Sequence, residues 1–159
     1  MAIIGIVAID RNQAIGKDGR LPWHYSADMK FFKEATIGNA VVMGRRTWLT
    51  LPKPLKERLN IVLSRVSDIE PQESVVVLRD SRSVLSIARY LSCDLFVIGG
   101  AKIYELFLPQ IDRWIVTEVP LAVEAADTFA PANFLAGFEL YEMRQLEDGL
   151  RVKLYERHL

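Results

Sequence analysis

The sequence contains little cysteine and little histidine. Its 159 residues include one cysteine, Cys93, and two histidines, His24 and His158. A single cysteine cannot form an intramolecular disulfide, which favours a reducing compartment. These residues also lack the spacing of a zinc site, and neither histidine stands near a strained serine or cysteine turn. We therefore expect no metal and no covalent nucleophile, and we predict a cytoplasmic protein.

The chain also lacks a net charge and a long hydrophobic run. Twenty Lys and Arg residues balance twenty Asp and Glu residues, which argues against a general binder of nucleic acid or membrane surfaces. The apolar stretch at residues 1–9 is too short to cross a bilayer and lacks the features of a signal peptide. Half of the residues are hydrophobic, enough for a sizeable core. We predict one domain over residues 1–159, monomeric because no large exposed apolar element stands out.

The chain does contain short apolar runs, rich in valine and isoleucine, between stretches with helical spacing. The runs predict strands at Ala2–Ile9, Ala40–Met43, Leu59–Leu63, Val75–Leu78, Leu95–Ile98, Trp114–Val119, Phe138–Gln145 and Leu150–Glu156. The spacing predicts helices at Ala27–Ala35, Thr47–Leu51, Ser83–Leu91 and Lys102–Leu108. Several runs are apolar throughout, which is typical of strands buried on both faces of a parallel sheet. We predict a three-layer α/β sandwich: a central, mostly parallel eight-stranded sheet flanked by four helices, with a C-terminal antiparallel hairpin turning at Asp148-Gly149.

Asp28 is an acidic residue on the apolar side of the first predicted helix. Phe31, Phe32 and Ala35 follow it at three, four and seven positions, the spacing of one helix face. A carboxylate there is costly to bury unless something pairs with it. It could bind the donor-rich edge of a ligand, or it could be an acid favoured by the helix dipole in the first turn. Both interpretations stay open.

Two predicted strands are each followed directly by glycine, and a predicted helix comes soon after. Residues 41–43 precede Gly44-Arg45-Arg46-Thr47, and residues 95–98 precede Gly99-Gly100-Ala101-Lys102. Such junctions offer backbone N–H groups and basic side chains to a phosphate. Neither is a Walker A loop or a complete G-x-G-x-x-G motif, and either alone fits a surface turn with solvated arginines. Two junctions, with six basic residues and one acidic residue between positions 45 and 65, predict a ligand with several phosphates, such as a dinucleotide.

A glycine-punctuated loop, residues 16–23, ends in Leu21-Pro22-Trp23. Glycines allow positive φ angles and movement. The tryptophan could close over an aromatic ligand, or it could anchor the loop in the core.

A specific combination of motifs runs along the chain. It comprises Ile15-Gly16, Leu21-Pro22-Trp23, Asp28, Phe31-Phe32, Met43-Gly44-Arg45, Thr47-Trp48, Arg58, Asn60-Ile61, Ile98-Gly99-Gly100, Tyr104, Thr117 and Asp127-Thr128. A helix carboxylate, a G-R-x-T-W turn and an I-G-G turn before a helix rarely coincide otherwise. The chain thus resembles the dihydrofolate reductase family from end to end, with bacterial chromosomal enzymes of about this length as the nearest comparison.

The resemblance implies NADPH-dependent reduction of 7,8-dihydrofolate to tetrahydrofolate for one-carbon metabolism. A hydride would pass from nicotinamide C4 to pterin C6, with protonation at N5. Asp28 would bind the pterin 2-amino group and ring nitrogen and assist that protonation, while Thr117 would reach the same edge through a water. Tyr104 would lie near the transferring carbon, and Leu21 and Trp23 would complete the catalytic group. Antifolate inhibitors become plausible ligands, whereas nucleic acid and membranes do not.

The resemblance also implies a substrate pocket and a carboxylate site. The pocket would be lined by apolar residues: Ile6, Val7, Ala8, Met29, Phe32, Leu51, Leu55 and Ile98. Arg58 would bind the α-carboxylate of the glutamate tail, since guanidinium and carboxylate pair well through two hydrogen bonds.

Three groups of residues would bind NADPH by the same resemblance. Ala8, Ile15, Gly16 and Leu21 would line the nicotinamide side, with Leu63, Ile98, Tyr104 and Thr128 completing the site. The diphosphate and ribose would meet Gly44, Arg45, Arg46 and Thr47 and the turn formed by Gly99, Gly100, Ala101, Lys102 and Ile103. Ser64 and Arg65, with Arg46, would bind the 2′-phosphate, which favours NADPH over NADH. The family's Gly99–Gly100 peptide is cis.

The chain departs from the family pattern at three places. Ala101 replaces a third glycine, and Ser26 replaces a proline but remains a good helix N-cap. The segment Glu124-Ala125-Ala126-Asp127 is one residue longer than the usual Glu-Gly-Asp. This segment belongs to the loop that contacts residues 16–23, so we expect the extra residue to affect that contact. Two alternatives stay open: the related reductase domain of riboflavin biosynthesis, which generally lacks the Leu-Pro-Trp loop and the helix carboxylate, and a non-catalytic folate- or nucleotide-binding module.

Overall fold

The computed structural model describes residues 1–66 and 68–158. Within these residues the chain forms ten strands: β1 (Ile3–Ile9), β2 (Ala14–Gly16), β3 (Ala40–Gly44), β4 (Leu59–Leu63), β5 (Val75–Leu78), β6 (Leu95–Val97), β7 (Arg113–Glu118), β8 (Thr128–Phe129), β9 (Phe138–Gln145) and β10 (Arg151–Arg157). The helices are α1 (Ser26–Thr36), α2 (Arg45–Thr50), α3 (Ser81–Ala88) and α4 (Ala101–Phe107). A short 3-10 turn follows α4 at Leu108–Gln110. No helix in the described ranges is long and apolar enough to cross a membrane.

Eight strands form one sheet in the order β5-β4-β3-β6-β1-β7-β10-β9. The pairs from β5 to β7 are parallel, whereas β10 pairs antiparallel with both β7 and β9. This confirms the predicted eight-stranded, mostly parallel sheet with its C-terminal hairpin. Because parallel strands all point the same way, β1, β3, β6 and β7 bring their carboxyl ends to one edge of the sheet.

Helices cover both faces of the sheet, as predicted. On one face α3 and α4 pack on a core that includes Val42, Val97 and Trp114. On the other face α1 and α2 contribute Phe31, Phe32 and Trp48 to a core around Val41 and Met43. Since Val41 and Val42 are fully buried on opposite faces, β3 reads as a continuous apolar run, the pattern of a strand between two helical layers.

The hairpin turn follows the predicted Asp148-Gly149 signal. Asp148 has φ 60° and Gly149 has φ 76°, and Leu150 N–H donates to the Glu147 carbonyl oxygen at 3.2 Å. Two central residues with positive φ are what a primed two-residue turn requires, and Asp-Gly accommodates them with little strain.

The structure also differs from the predicted elements. The predicted strands include neither β2 nor β8, which pair antiparallel in a small second sheet. Strands of three and two residues are too short to show a periodicity, so only their tertiary pairing defines them. The helices α2 and α4 begin at Arg45 and Ala101, immediately after Gly44 and Gly100 and earlier than predicted.

Candidate active site

The carboxyl edge of the sheet brings several of the predicted site residues together, whereas Arg58 directly precedes β4 and lies at the amino end of that strand. Ala8 of β1 lies opposite Thr117 of β7, and Gly44 at the end of β3 donates its N–H to the Gly99 carbonyl oxygen at 2.9 Å. Residues separated by up to 109 positions in the sequence therefore meet at one edge. The parallel arrangement of the strands accounts for this, because each strand contributes its last residues to the same place.

Asp28 lies in the first turn of α1, half-buried and close to Trp23 and Thr117. Burial raises the pKa of its carboxyl above the ordinary value, and the two neighbouring side chains only partly offset that rise. It is therefore an acid of the first helical turn, but not a solvated one. A half-buried carboxyl with a raised pKa can hold or transfer a proton at a pH where an exposed carboxyl is fully ionised.

Of the two functions considered for the loop tryptophan, the structure shows the anchoring one for Trp23. It is 8 % exposed and packs with Val119 and Leu150, so it anchors the loop in the core. Its indole Nε1 has no partner at full hydrogen-bond geometry among the described residues, although it lies close enough to Asp28 to lower the pKa of that carboxyl. A buried N–H without a partner is costly, and a polar ligand or water at this position would satisfy it.

Tyr104 is held inside the site by a short hydrogen bond. Its hydroxyl donates to the Ile6 carbonyl oxygen at 2.7 Å. Burial, with the nearby charge of Asp28, raises the pKa of the phenol, so the hydroxyl stays protonated. Gly99 leaves room for this ring, because a Cβ at that position would lie 3.3 Å from the Tyr104 hydroxyl oxygen.

The two glycine junctions stand side by side. The Gly99–Gly100 peptide is cis, as the resemblance predicts. A Cβ on Gly44 would lie 3.0 Å from Ile103 Cγ1, so glycine permits the close approach of β3 to α4. The residues that precede α2 and α4, Gly44 and Gly100, carry no side chain that could cap the first turn. Because the two junctions are adjacent, a chain of phosphates could bind the first backbone N–H groups of both helices.

The basic residues near this surface differ in whether they form an ion pair. Arg46 and Arg65 are exposed, whereas the guanidinium of Arg45 forms an ion pair with Asp68. Ser64 is buried, and its hydroxyl donates to the Val66 carbonyl oxygen at 2.9 Å.

A small cavity of about 180 Å³ opens at the same place, lined by Ser64, Val66, Ile69, Val77 and Arg79. Sequence reasoning missed both Arg79 and Asp68. Arg79 follows β5 just as Ser64 follows β4, and these strands are parallel neighbours. Comparing the residues that follow adjacent strands could therefore have found Arg79.

Arg58 is a buried arginine without an ion-pair partner among the described residues. It is 7 % exposed, and its Nε and Nη1 donate to the Lys56 carbonyl oxygen at 2.9 Å and the Thr36 hydroxyl at 3.1 Å. Burial lowers its pKa, partly opposed by the charge of Glu57. Asn60 holds the adjoining loop by bonds to both backbone groups of Leu55. A buried guanidinium with donors left over favours binding of an anion.

The apolar residues predicted for the substrate pocket fall into two groups. Phe32, Leu51, Leu55 and Ile98 pack against the core cluster that contains Ile6, on the α1 side of the sheet. Val7, by contrast, packs in the core on the α3 and α4 side, because successive residues of a strand point to opposite faces. Met29, also predicted for the pocket, is 55 % exposed, and Leu21, predicted for the nicotinamide side, is 50 % exposed.

Two aspartates tie down the segment that leads into residues 16–23. Buried Asp10 accepts hydrogen bonds from the N–H groups of Asn12, Ala14 and Val123 at 2.7–2.8 Å. Exposed Asp127 accepts from Asp18 N–H at 2.8 Å and from the Thr128 hydroxyl at 2.9 Å. The sequence motifs included Asp127 but missed Asp10.

Comparison with known proteins decides the family. The family model described as Dihydrofolate reductase matches residues 2–155. The chain belongs to the dihydrofolate reductase family. It is 37 % identical to dihydrofolate reductase of Mycobacterium tuberculosis over 99 % of both chains. Its identity to the Haemophilus influenzae enzyme is 36 %, over 79 % of this chain and 76 % of that one.

A solved dihydrofolate reductase structure, from Enterococcus faecalis and complexed with NADP(H) and RAB-propyl, has the same fold. Its TM-score to this chain is 0.89 at 29 % identity, covering 98 % of this chain and 96 % of that one. The resemblance to dihydrofolate reductase is thereby confirmed, and so is the predicted fold.

The departure of this dihydrofolate reductase family member at residues 124–127 keeps one contact intact. Ala125 takes a positive φ of 55°, and the longer segment still places Asp127 against the loop, with Asp127 N–H donating to the Gly16 carbonyl oxygen at 3.2 Å.

Proposed function

We propose a residue-level account of how this chain carries out its family's reaction. The chain is an NADPH-dependent oxidoreductase that reduces 7,8-dihydrofolate to 5,6,7,8-tetrahydrofolate. The observation that carries the residue assignment is the half-buried Asp28 carboxyl, with its raised pKa, beside an unpartnered Trp23 N–H at the carboxyl edge of the sheet. When bound, NADPH supplies the hydride that goes to pterin C6, and a proton added at N5 completes the reduction.

Asp28 orients the pterin and keeps a proton available near it. Its carboxylate accepts hydrogen bonds from the 2-amino group and the ring nitrogen, and its raised pKa lets a proton remain at higher pH. Thr117 and the Trp23 N–H bind the polar edge and a water beside it. Tyr104 is buried and its hydroxyl donates to the Ile6 carbonyl. It therefore lines the site near the transferring carbon and does not act as the proton donor.

The remaining substrate contacts follow the polarity of the site. The flat pterin lies against Ile6, Ala8, Phe32 and Ile98, with Leu51, Leu55 and Met29 toward the tail and the backbone of Val7 beside the ring. Arg58 binds the α-carboxylate of the glutamate tail. The buried guanidinium supports this assignment, because it still has donors for an anion after donating to the Lys56 carbonyl and the Thr36 hydroxyl.

The two glycine junctions and their flanking residues bind NADPH. Gly44, Arg45, Arg46 and Thr47 face the turn 99–103 across the diphosphate, while Ser64, Arg65 and Arg46 bind the 2′-phosphate, joined by Arg79. Ala8, Ile15, Gly16, Leu21 and Thr128 surround the nicotinamide with Tyr104, and Leu63 and Ile98 line its approach. Support comes from the adjacency of the junctions and from the cavity between Ser64 and Arg79.

We also propose that residues 1–159 act as one cytoplasmic, monomeric domain that binds no nucleic acid. The single cysteine and the balanced charge support this proposal. Antifolates whose cationic rings can pair with a carboxylate should bind at Asp28 in place of the pterin.

The test is a turnover assay with NADPH and dihydrofolate, following nicotinamide oxidation by absorbance. The expected result is turnover that needs both substrates; binding of both without turnover would instead support a non-catalytic module. Replacing Arg65 by Ala should raise KM for NADPH far more than KM for NADH, because only NADPH carries the 2′-phosphate. Equal losses would place that phosphate elsewhere.

A further inference from the structure

Arg45 is already engaged by a residue that the family motifs do not include. Its guanidinium Nε donates to Asp68 Oδ1 at 3.2 Å, and its Nη2 donates to Asp68 Oδ2. The two side chains are 38 % and 43 % exposed. An ion pair this exposed adds little to stability, because solvent screens it and two long side chains must be ordered. The main effect of the pair is therefore on the orientation of the Arg45 guanidinium.

The pair leaves one edge of the guanidinium unoccupied. Arginine has five N–H donors in a rigid plane, and Asp68 takes the edge formed by Nε and Nη2. The opposite edge, formed by Nη1 and the second hydrogen of Nη2, has no other partner among the described residues. Since the group is planar, holding one edge also sets the direction of the other.

The pair also joins the two proposed phosphate-binding regions. Arg45 is the first residue of α2 at the Gly44 junction, whereas Asp68 lies four residues after Ser64, next to the cavity between Ser64 and Arg79. The contact therefore holds Arg45 at the boundary between the diphosphate and 2′-phosphate sites.

We propose that Asp68 is a positioning residue for cofactor binding: it orients Arg45 so that the free guanidinium edge binds a phosphate of the dinucleotide. The proposal rests on the proposed function. Asp68 is expected to strengthen cofactor binding, although a carboxylate near a phosphate could instead weaken binding by repulsion. Holding the arginine in place outweighs that repulsion at an exposed, screened position.

The experiment measures NADPH and NADH dissociation constants by cofactor fluorescence for three variants. Asp68→Ala should weaken NADPH binding by about threefold to tenfold, the cost of immobilising one long side chain on binding. Asp68→Asn, which keeps an oxygen acceptor without the charge, should recover most of the affinity. Glu70→Gln is the matched control, since it removes the same charge from an exposed position nearby without contacting Arg45. It should leave binding unchanged.

Further readouts separate positioning from other roles. In an Arg45→Ala background, Asp68→Ala should have no additional effect, and kcat at saturating NADPH should stay unchanged in the single variant. A loss confined to NADPH would place the 2′-phosphate at Arg45, whereas equal losses for NADH would place the diphosphate there. Tighter binding by both Asp68 variants, or unchanged binding, would overturn the proposal. Turnover by the wild-type chain tests the proposed function independently of these outcomes.

Discussion

Asp10 and Asp28 are both removed from solvent, yet their environments move their pKa values in opposite directions. Burial by itself raises the pKa of the Asp10 carboxyl, but bonds from Val123, Ala14 and Asn12 N–H groups outweigh it and leave the pKa below its ordinary value. At Asp28 burial outweighs the contributions of Trp23 and Thr117, and the pKa is raised. The hydrogen-bond donors fixed around each carboxyl, and not burial alone, thus decide the direction in which its pKa moves.

The largest expected effect tests the role proposed for Asp28. Asp28→Asn should lower kcat/KM for dihydrofolate at neutral pH by about 100-fold to 10,000-fold, the range of a positioned acid or base. The wild-type rate should fall as pH rises above the raised pKa of Asp28, and the variant should lose this dependence. A variant that keeps the wild-type rate and pH profile would contradict the role given to Asp28.

The next effect tests the hydrogen bonds of Asp10. Asp10→Asn keeps an oxygen for Asn12 and Ala14 N–H, but it turns the other position into a donor that faces Val123 N–H. Leaving one buried donor unpaired should lower the free energy of unfolding by about 1–3 kcal/mol, measured by urea denaturation. The control is Asp148→Asn in the hairpin turn, where asparagine also accepts the positive φ of 60°. Equal stability of all three proteins would show that donor count does not matter at Asp10.

The pH dependence of stability should separate the two aspartates by sign. Because the folded pKa of Asp10 is lowered, its contribution is present above the ordinary carboxyl pKa and is lost as pH falls through the folded value. Because the folded pKa of Asp28 is raised, stability declines as pH rises through that value, so Asp28→Asn should be the more stable protein at neutral pH. Thermal unfolding from pH 3 to 8 measures both, and a lower Tm for Asp28→Asn at neutral pH would reverse the comparison.

The smallest effect concerns the exposed counterpart of Asp10. The Asp127 side chain holds the 16–23 loop by one bond from the Asp18 N–H, and this bond together with the one from the neighbouring Thr128 hydroxyl lowers its pKa. Asp127→Ala should speed NADPH dissociation by about threefold, since one exposed hydrogen bond contributes little. Glu124→Gln, an exposed acid in the same loop, should dissociate at the wild-type rate. If Asp127→Ala did so too, the bond between Asp127 and Asp18 would not affect NADPH release.

Much of the fold and of the site could be predicted from local patterns. Apolar runs, glycine at strand ends and the Asp148-Gly149 turn are properties of a few neighbouring residues, and they predicted all eight strands of the large sheet. Asp28 stood out because an acid occupied an apolar helix face. Asp10 did not, because an aspartate beginning a loop is ordinary, and its third donor, Val123 N–H, lies 113 positions away. The pairing of Arg45 with Asp68 and the small β2–β8 sheet escaped prediction for the same reason.

By itself the sequence determined the order of strands and helices, the residue types at the site and, through its motifs, the family. Tertiary structure alone decided which donors surround each carboxylate, and therefore the direction in which each pKa moves. It also decided that Arg45 is held by Asp68 and that Arg58 is buried without an ion pair among the described residues. The physical reason is that electrostatic and hydrogen-bond energies depend on distances through space, which local sequence patterns do not contain.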